Sequence, residues 1–207
     1  MFRNGRFGPI EWAATRRPRP DESVCGDLPV ALEIGTGAAL FGALDGLGHG
    51  EPAAAAAQCA AEVLERARAE PLDVVVQLCH RALTETRGVA MTLARIDFDT
   101  DTMSWIGIGN VAANLVAKGP TGAEMRSSVF LAGGIVGYRM PQPLLTHQVG
   151  ITPGDLLVVA SDGISARYVD SIDFSAPATE IAQQILADHS REVDDALVLA
   201  ARHRGST

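Results

Sequence analysis

Four aspartates in this chain stand at the ends of apolar, strand-like runs, and their placement points to the chemistry of hard cations. Asp45 closes the run Ala39–Leu44 and is followed by Gly46; Asp162 follows Leu156–Ala160 and a serine, and is followed by Gly163. Asp27 stands just before the run around Val30, and Asp194, with Asp195 beside it, precedes Ala196–Arg202. Carboxylates gathered at one edge of a β core repel each other and are costly to keep ionised without a counter-charge, which a divalent cation supplies. An all-oxygen donor set favours Mg²⁺ or Mn²⁺ with several waters retained. Zinc is disfavoured, because His49, His80, His147, His189 and His203 form neither a His-x-His nor a His-x-x-x-His pair.

The glycines that follow Asp45 and Asp162 let the backbone turn sharply, and at Gly46 they allow a main-chain carbonyl to come close to an ion. If Asp45 bridged two ions about 3.5–4 Å apart, a water between them would be acidified into a nucleophile at neutral pH. That is the chemistry of phosphoester hydrolysis.

Composition narrows the alternatives. A length of 207 residues with 47% hydrophobic content fits one compact domain, residues 1–207, with a sizeable core. The formal charge of −8 provides no basic stripe for a phosphate backbone, so a nucleic-acid partner is not expected. No apolar run approaches the ~18 residues of a membrane span, and the N-terminal stretch has no signal-peptide core. A cytoplasmic protein with no membrane association is the expectation. Cys25, Cys59 and Cys79 show no Cys-x-x-Cys spacing and read as small buried apolar residues.

Strands and helices must then bring the carboxylates together. Val30–Ile34 and Ala39–Leu44 are short apolar runs separated by a Gly-Thr-Gly punctuation. An Ala-rich helix is predicted from Pro52 to Ala69. A second starts at Pro71, with Leu72, Val75, Val76, Cys79 and Leu83 on one stripe and Gly88 ending it. From Val89 the strand patterns VAMTLARIDFD, TMSWIGIG and VAANLVAK, with turn signals at Asp99–Asp101 and Gly109–Asn110, predict an antiparallel meander. A Gly- and Pro-rich loop, Gly133–Pro143, precedes the buried strand Leu156–Ala160; a helix over Ala178–Asp188 and a final strand follow. Strands in two blocks with helices between them predict an α+β fold, a four-layer αββα sandwich of two packed antiparallel sheets flanked by helices.

The motifs DGLGHG, SDG and DDALVL, in this order, resemble those of the metal-dependent (PPM, type 2C) protein serine/threonine phosphatases, and the likeness spans nearly the whole chain. The stretches IEWAATRRPRPDESVCGD, RGVAMTLARID and IGIGNVAANL, and the run from Leu131 to Ile164, are most similar to the short RsbX-like branch of the SpoIIE-like group. The resemblance implies two Mn²⁺ or Mg²⁺ ions bridged by Asp45. Asp162 and Asp194 would complete the first ion's protein ligands, and Asp27 with the Gly46 carbonyl would hold the second. Asp45, Asp162 and Asp194 would thus be the catalytic set, with Asp195 orienting Asp194. It also implies a substrate: phosphoserine or phosphothreonine on a STAS-domain regulatory protein of bacterial stress signalling, with Gly133–Pro143 as the candidate specificity loop. The chain departs from typical eukaryotic members in having Asp27 alone where they carry a Glu-Asp pair. Leu47 follows Asp45–Gly46 where they carry a histidine, so the general-acid role does not transfer to His49. Arg16 or Arg17 stands roughly at the place of the phosphate-binding arginine.

Plainer readings compete. A lone Asp-Gly after a strand is usually a turn; Gly109–Asn110 is most simply a hairpin turn, Arg87–Gly88 a helix end, Thr92 an alternating strand position and Cys25 a buried, inert thiol. Two other functions remain open. One is a phosphatase-like module that binds phosphoproteins with little turnover. The other is an anion cradle at DGLGHG, although that stretch lacks the lysine and glycine spacing of a P-loop.

Overall fold

The computed structural model describes residues 1–120 and 122–205. Among these residues, twelve strands and three α-helices follow one another as β1 (Phe2–Phe7), β2 (Ile10–Arg17), β3 (Asp27–Ile34), β4 (Ala38–Gly46), α1 (Gly50–Ala67), α2 (Leu72–Ala82), β5 (Val89–Asp97), β6 (Thr102–Ile108), β7 (Ala112–Lys118), β8 (Ala123–Ser128), β9 (Leu131–Ala132), β10 (His147–Gly150), β11 (Leu156–Ala160), α3 (Ala178–His189) and β12 (Ala196–His203). One sheet has the order β1-β2-β12-β11-β7-β8 and the other β10-β6-β5-β4-β3; within these two orders every pairing is antiparallel, and β9 adds a short parallel pairing to β6.

The apolar runs are continuous because both faces of the central strands are covered. In β11, Leu157 and Val159 enter the core between the sheets, while Leu156, Val158 and Ala160 pack toward α3. In β4, Phe41 and Ala43 face the same inter-sheet core, and Leu40 and Leu44 face α1 and α2. Three apolar layers, helix on sheet, sheet on sheet and sheet on helix, therefore define the expected αββα sandwich. On α1, Ala53, Ala56, Ala57 and Ala60 are all buried, so the small side chains bring this helix close against the sheet.

The meander is corrected. β5 and β6 form the expected hairpin, but β7 leaves their sheet and pairs with β11 and β8 in the other one. Gly109, with φ +92°, and the buried Val111 turn the chain across the sandwich instead of back along β6. The N-terminal hairpin β1–β2 lies outside the predicted elements. β1 is an edge strand whose residues are all exposed or half-buried, so it carries little apolar alternation to read.

Candidate metal centre

The β3–β4 ladder sets Asp27 directly opposite Asp45, and Asp45 in turn faces Ala90 of β5. In the other sheet, β11 and β12 are neighbours with Ala160 opposite Val198, so Asp162, two residues beyond β11, and Asp194, two residues before β12, emerge at one end of that pair. A cleft of about 450 Å³ results, lined by Asp45, Asp162 and Asp194 together with Arg19, Gly48, His49 and Asn110. Asp27 is buried, 1% exposed, beside Asp45.

This arrangement strains ionisation. Burial, and after it the Asp45 carboxylate, holds Asp27 well above the usual carboxylate range, with the Ser161 hydroxyl acting in the opposite direction. Asp45 is pushed up to about 7 by burial and then by Asp162, Asp194 and Asp195. Asp162 is raised by burial and by Asp194, against a hydrogen bond from Asn110. Each carboxylate is made costly by desolvation and by its like-charged neighbours, which is the condition a divalent cation relieves.

Both Asp-Gly glycines are required by close backbone approach. A Cβ on Gly46 would lie 2.0 Å from the Ala53 carbonyl oxygen of α1, and one on Gly163 would lie 1.9 Å from the Asp195 carbonyl oxygen. The Gly46 carbonyl oxygen lies 3.6 Å from the Cβ position of Gly26, so it faces the segment that carries Asp27.

Adjacent Asp194 and Asp195 have different partners. Asp194 lines the cleft, whereas Asp195 is buried and accepts hydrogen bonds from the Arg19 and Gly26 amides, both at 2.8 Å. Asp195 therefore fixes the loop leading into Asp27, and contacts Asp194 through its own amide, which donates to Asp194 Oδ1 at 2.9 Å. The contact between Asp195 and the Asp194 carboxylate is thus made by the main chain, while the Asp195 side chain holds the loop.

The arginine expectation shifts too. Arg16 donates to the Asp27 carbonyl, and Arg17 donates to Ser190 and to the carbonyls of Pro18, Arg191 and Asp194, so both brace the backbone. Arg19 is the arginine that lines the cleft. Gly109–Asn110 does more than turn the chain: Asn110 Nδ2 donates to Asp162 Oδ2 at 2.6 Å. The sequence carried no signal that separated this role from a hairpin turn, because only the crossing of β7 to the other sheet frees the amide. His49 stands at the cleft wall with Nδ1 2.5 Å from Glu22 Oε1. Cys25 is buried, its thiol pushed up to about 12 by burial and by Asp27, and is inert.

The donor chemistry of these residues fits hard divalent cations. The donors are all oxygens, and Asp27 Oδ2 is a buried carboxylate oxygen with no hydrogen-bond partner. Among the described residues no three Asp, Glu, His or Cys side chains close around one point. Among those residues, too, no helix is long and apolar enough to cross a membrane.

Two sheets packed face to face with acidic strand ends at one edge define a type 2C (PPM) phosphatase fold, and comparison with known proteins agrees. The family model for stage II sporulation protein E (SpoIIE) matches residues 35–204, so the chain belongs to the SpoIIE family of PP2C-type protein serine/threonine phosphatases. Within it the chain is RsbX-like. The phosphoserine phosphatase RsbX of Bacillus subtilis (strain 168) is 23% identical over 150 residues, 72% of each protein. A solved chain from the bacterial stressosome, described there as a modular system adapted to control secondary messenger signalling, superimposes with a TM-score of 0.84 and 30% identity over 93% of this chain and 99% of that one. RsbX in complex with magnesium superimposes with a TM-score of 0.80 at 18% identity, over 98% of this chain and 99% of that one, a likeness of fold.

Proposed function

We propose that residues 1–207 act as one catalytic domain that hydrolyses phosphoserine or phosphothreonine on a cytoplasmic STAS-domain regulatory protein, using two Mn²⁺ or Mg²⁺ ions. Asp45 would bridge the ions, Asp162 and Asp194 would complete the first, and Asp27 with the Gly46 carbonyl would hold the second. The observation that carries this reading is the facing pair Asp27 and Asp45, Asp27 buried with an orphaned oxygen and Asp45 at the wall of a cleft shared with Asp162 and Asp194. The stressosome origin of one similar structure and the phosphoserine phosphatase activity named for RsbX support the substrate class.

When bound, the ions supply an acidified water as nucleophile and neutralise phosphoryl charge. The chain's residues set the geometry for it. Asn110 restrains Asp162, Asp195 fixes the Arg19–Gly26 loop, and Arg19 puts a guanidinium into an otherwise acidic cleft. Cys25 is buried and held as a thiol, and water is the nucleophile in this reading. Hydrolysis of p-nitrophenyl phosphate should stop in EDTA and return with added Mn²⁺ or Mg²⁺. Activity that survives exhaustive chelation would refute the metal site. A preference for the phosphorylated STAS domain over its isolated phosphopeptide, measured as kcat/KM, tests the partner.

A further inference from the structure

Arg87 leads into β5 from the end of α2, and its guanidinium lies against the loop that follows Asp45. A Cβ on Gly48 would sit 2.6 Å from Arg87 Nη1, so the guanidinium lies directly on this glycine, whose φ of +92° is the left-handed backbone that favours glycine there. Gly48 itself lines the cleft beside Asp45, Asp162 and Asp194.

The turn presenting Arg87 is rigid. Thr86 Oγ1 donates to the Leu83 carbonyl at 2.7 Å and accepts from the Gly88 amide at 3.0 Å. The Leu47 amide donates to the Gly88 carbonyl at 3.0 Å, which ties this turn to the loop after Asp45. The side chain is exposed, and among the described residues no carboxylate pairs with it, whereas Arg126 and Arg204 are paired with Asp155 and Glu11. A guanidinium carried on a braced turn and left without a carboxylate partner is available to a ligand anion.

The charge balance of the cleft says which anion. Two divalent ions would offset the four aspartates proposed as their ligands, with Asp195 adding a further negative charge and Arg191 a positive one nearby, so a phosphomonoester dianion would still need cations from the chain. Arg19 supplies one cation from the cleft lining, and Arg87 stands against Gly48 to supply the other. A guanidinium also offers parallel N–H donors that match phosphoryl oxygens, which an ammonium cannot. We infer that Arg87 is a phosphate-positioning residue that holds phosphoryl oxygens of the substrate at the mouth of the cleft, an inference that rests on the metal-site reading above.

The test is calorimetric titration of the Mn²⁺-loaded protein with inorganic phosphate, joined to steady-state kinetics with p-nitrophenyl phosphate and phosphoserine peptides. Arg87→Ala should weaken phosphate binding about tenfold and raise KM for every substrate by a similar factor, with kcat within about threefold of wild type; Arg87→Lys should fall between. Wild-type phosphate affinity in Arg87→Ala overturns the inference. So does a KM increase confined to peptides with acidic flanks, which would make Arg87 a reader of neighbouring side chains. Asp45→Asn run alongside separates the two levels. An inactive Asp45→Asn beside an unaltered Arg87→Ala overturns the inference alone, and a fully active Asp45→Asn overturns the site together with it.

Discussion

Asp27 and Asp45 are direct cross-strand partners in the β3–β4 ladder, with Asp27 buried and one of its oxygens unpaired. Like charges placed opposite each other weaken a ladder, so this part of the fold is less stable than an apolar pair would make it. Asp27→Asn removes one charge while keeping the shape. In EDTA, at a pH above the raised range of these two groups so that both carboxylates of the wild type are ionised, the variant should melt about 3–6 °C above wild type. Mn²⁺ should raise the midpoint of the wild type more than that of the variant, because binding to the native state stabilises it. Thermal unfolding with and without metal checks both, and a variant that melts lower in EDTA would remove the repulsion account.

Burial, and after it repulsion among the clustered carboxylates, sets a pH dependence for the chelated protein. Asp45 is raised from 3.8 to about 7 in the folded chain, and Asp27 is raised as well. Between pH 4 and 7 the folded state therefore keeps protons that the unfolded state has released, so stability falls as pH rises through this window. The sign is opposite to that of a salt-bridged aspartate. Denaturant midpoints in EDTA should decline from pH 5 to pH 7.5, and saturating Mn²⁺ should flatten the decline. A midpoint that climbs over this range in EDTA would contradict the assignment.

Asn110 holds Asp162 through a 2.6 Å hydrogen bond, and that bond favours the ionised carboxylate. Asn110→Ala should leave the fold intact, lower turnover about tenfold and raise the Mn²⁺ concentration needed for half-maximal activity. Metal titration of p-nitrophenyl phosphate hydrolysis distinguishes this from a turn residue, whose loss would lower stability without moving the metal requirement.

The central strands were readable because both of their faces are buried. Runs such as Leu156–Ala160 and Ala196–Ala201 leave few polar positions to confuse the pattern. The acidic strand ends were readable because a carboxylate beside a buried run needs a reason to be there. Sheet membership was not readable: the Gly109–Asn110 signal fits a hairpin and a crossover equally well, and nothing local in Ala112–Lys118 says that its partner is β11, some forty residues further on. The path of the loop from Arg17 to Asp27 was hidden for a similar reason. Its course depends on the distant Asp195 carboxylate, so Arg19 rather than Arg16 or Arg17 reaches the cleft.

That loop yields the sharpest separation of roles. Asp194 and Asp195 are adjacent, yet Asp194 lines the cleft, and Asp195 is buried and accepts the Arg19 and Gly26 amides. Asp194→Ala deletes a charge from a crowded acidic cleft and leaves no amide without an acceptor except that of Asp195, so stability without metal should be unchanged or improved. Activity should fall at least about a hundredfold if a metal ligand is lost. Asp195→Ala strips two amides of their acceptor, one of them at the buried Gly26, and should cost about 2–4 kcal/mol of stability. Its turnover should suffer less than that of Asp194→Ala wherever the variant is still folded, because Asp195 acts through the position of the loop. Urea unfolding and p-nitrophenyl phosphate kinetics on both variants give four numbers whose pattern is fixed in advance: stability lost at 195, activity lost mainly at 194. The crossed pattern would mean that Asp195, not Asp194, faces the ions.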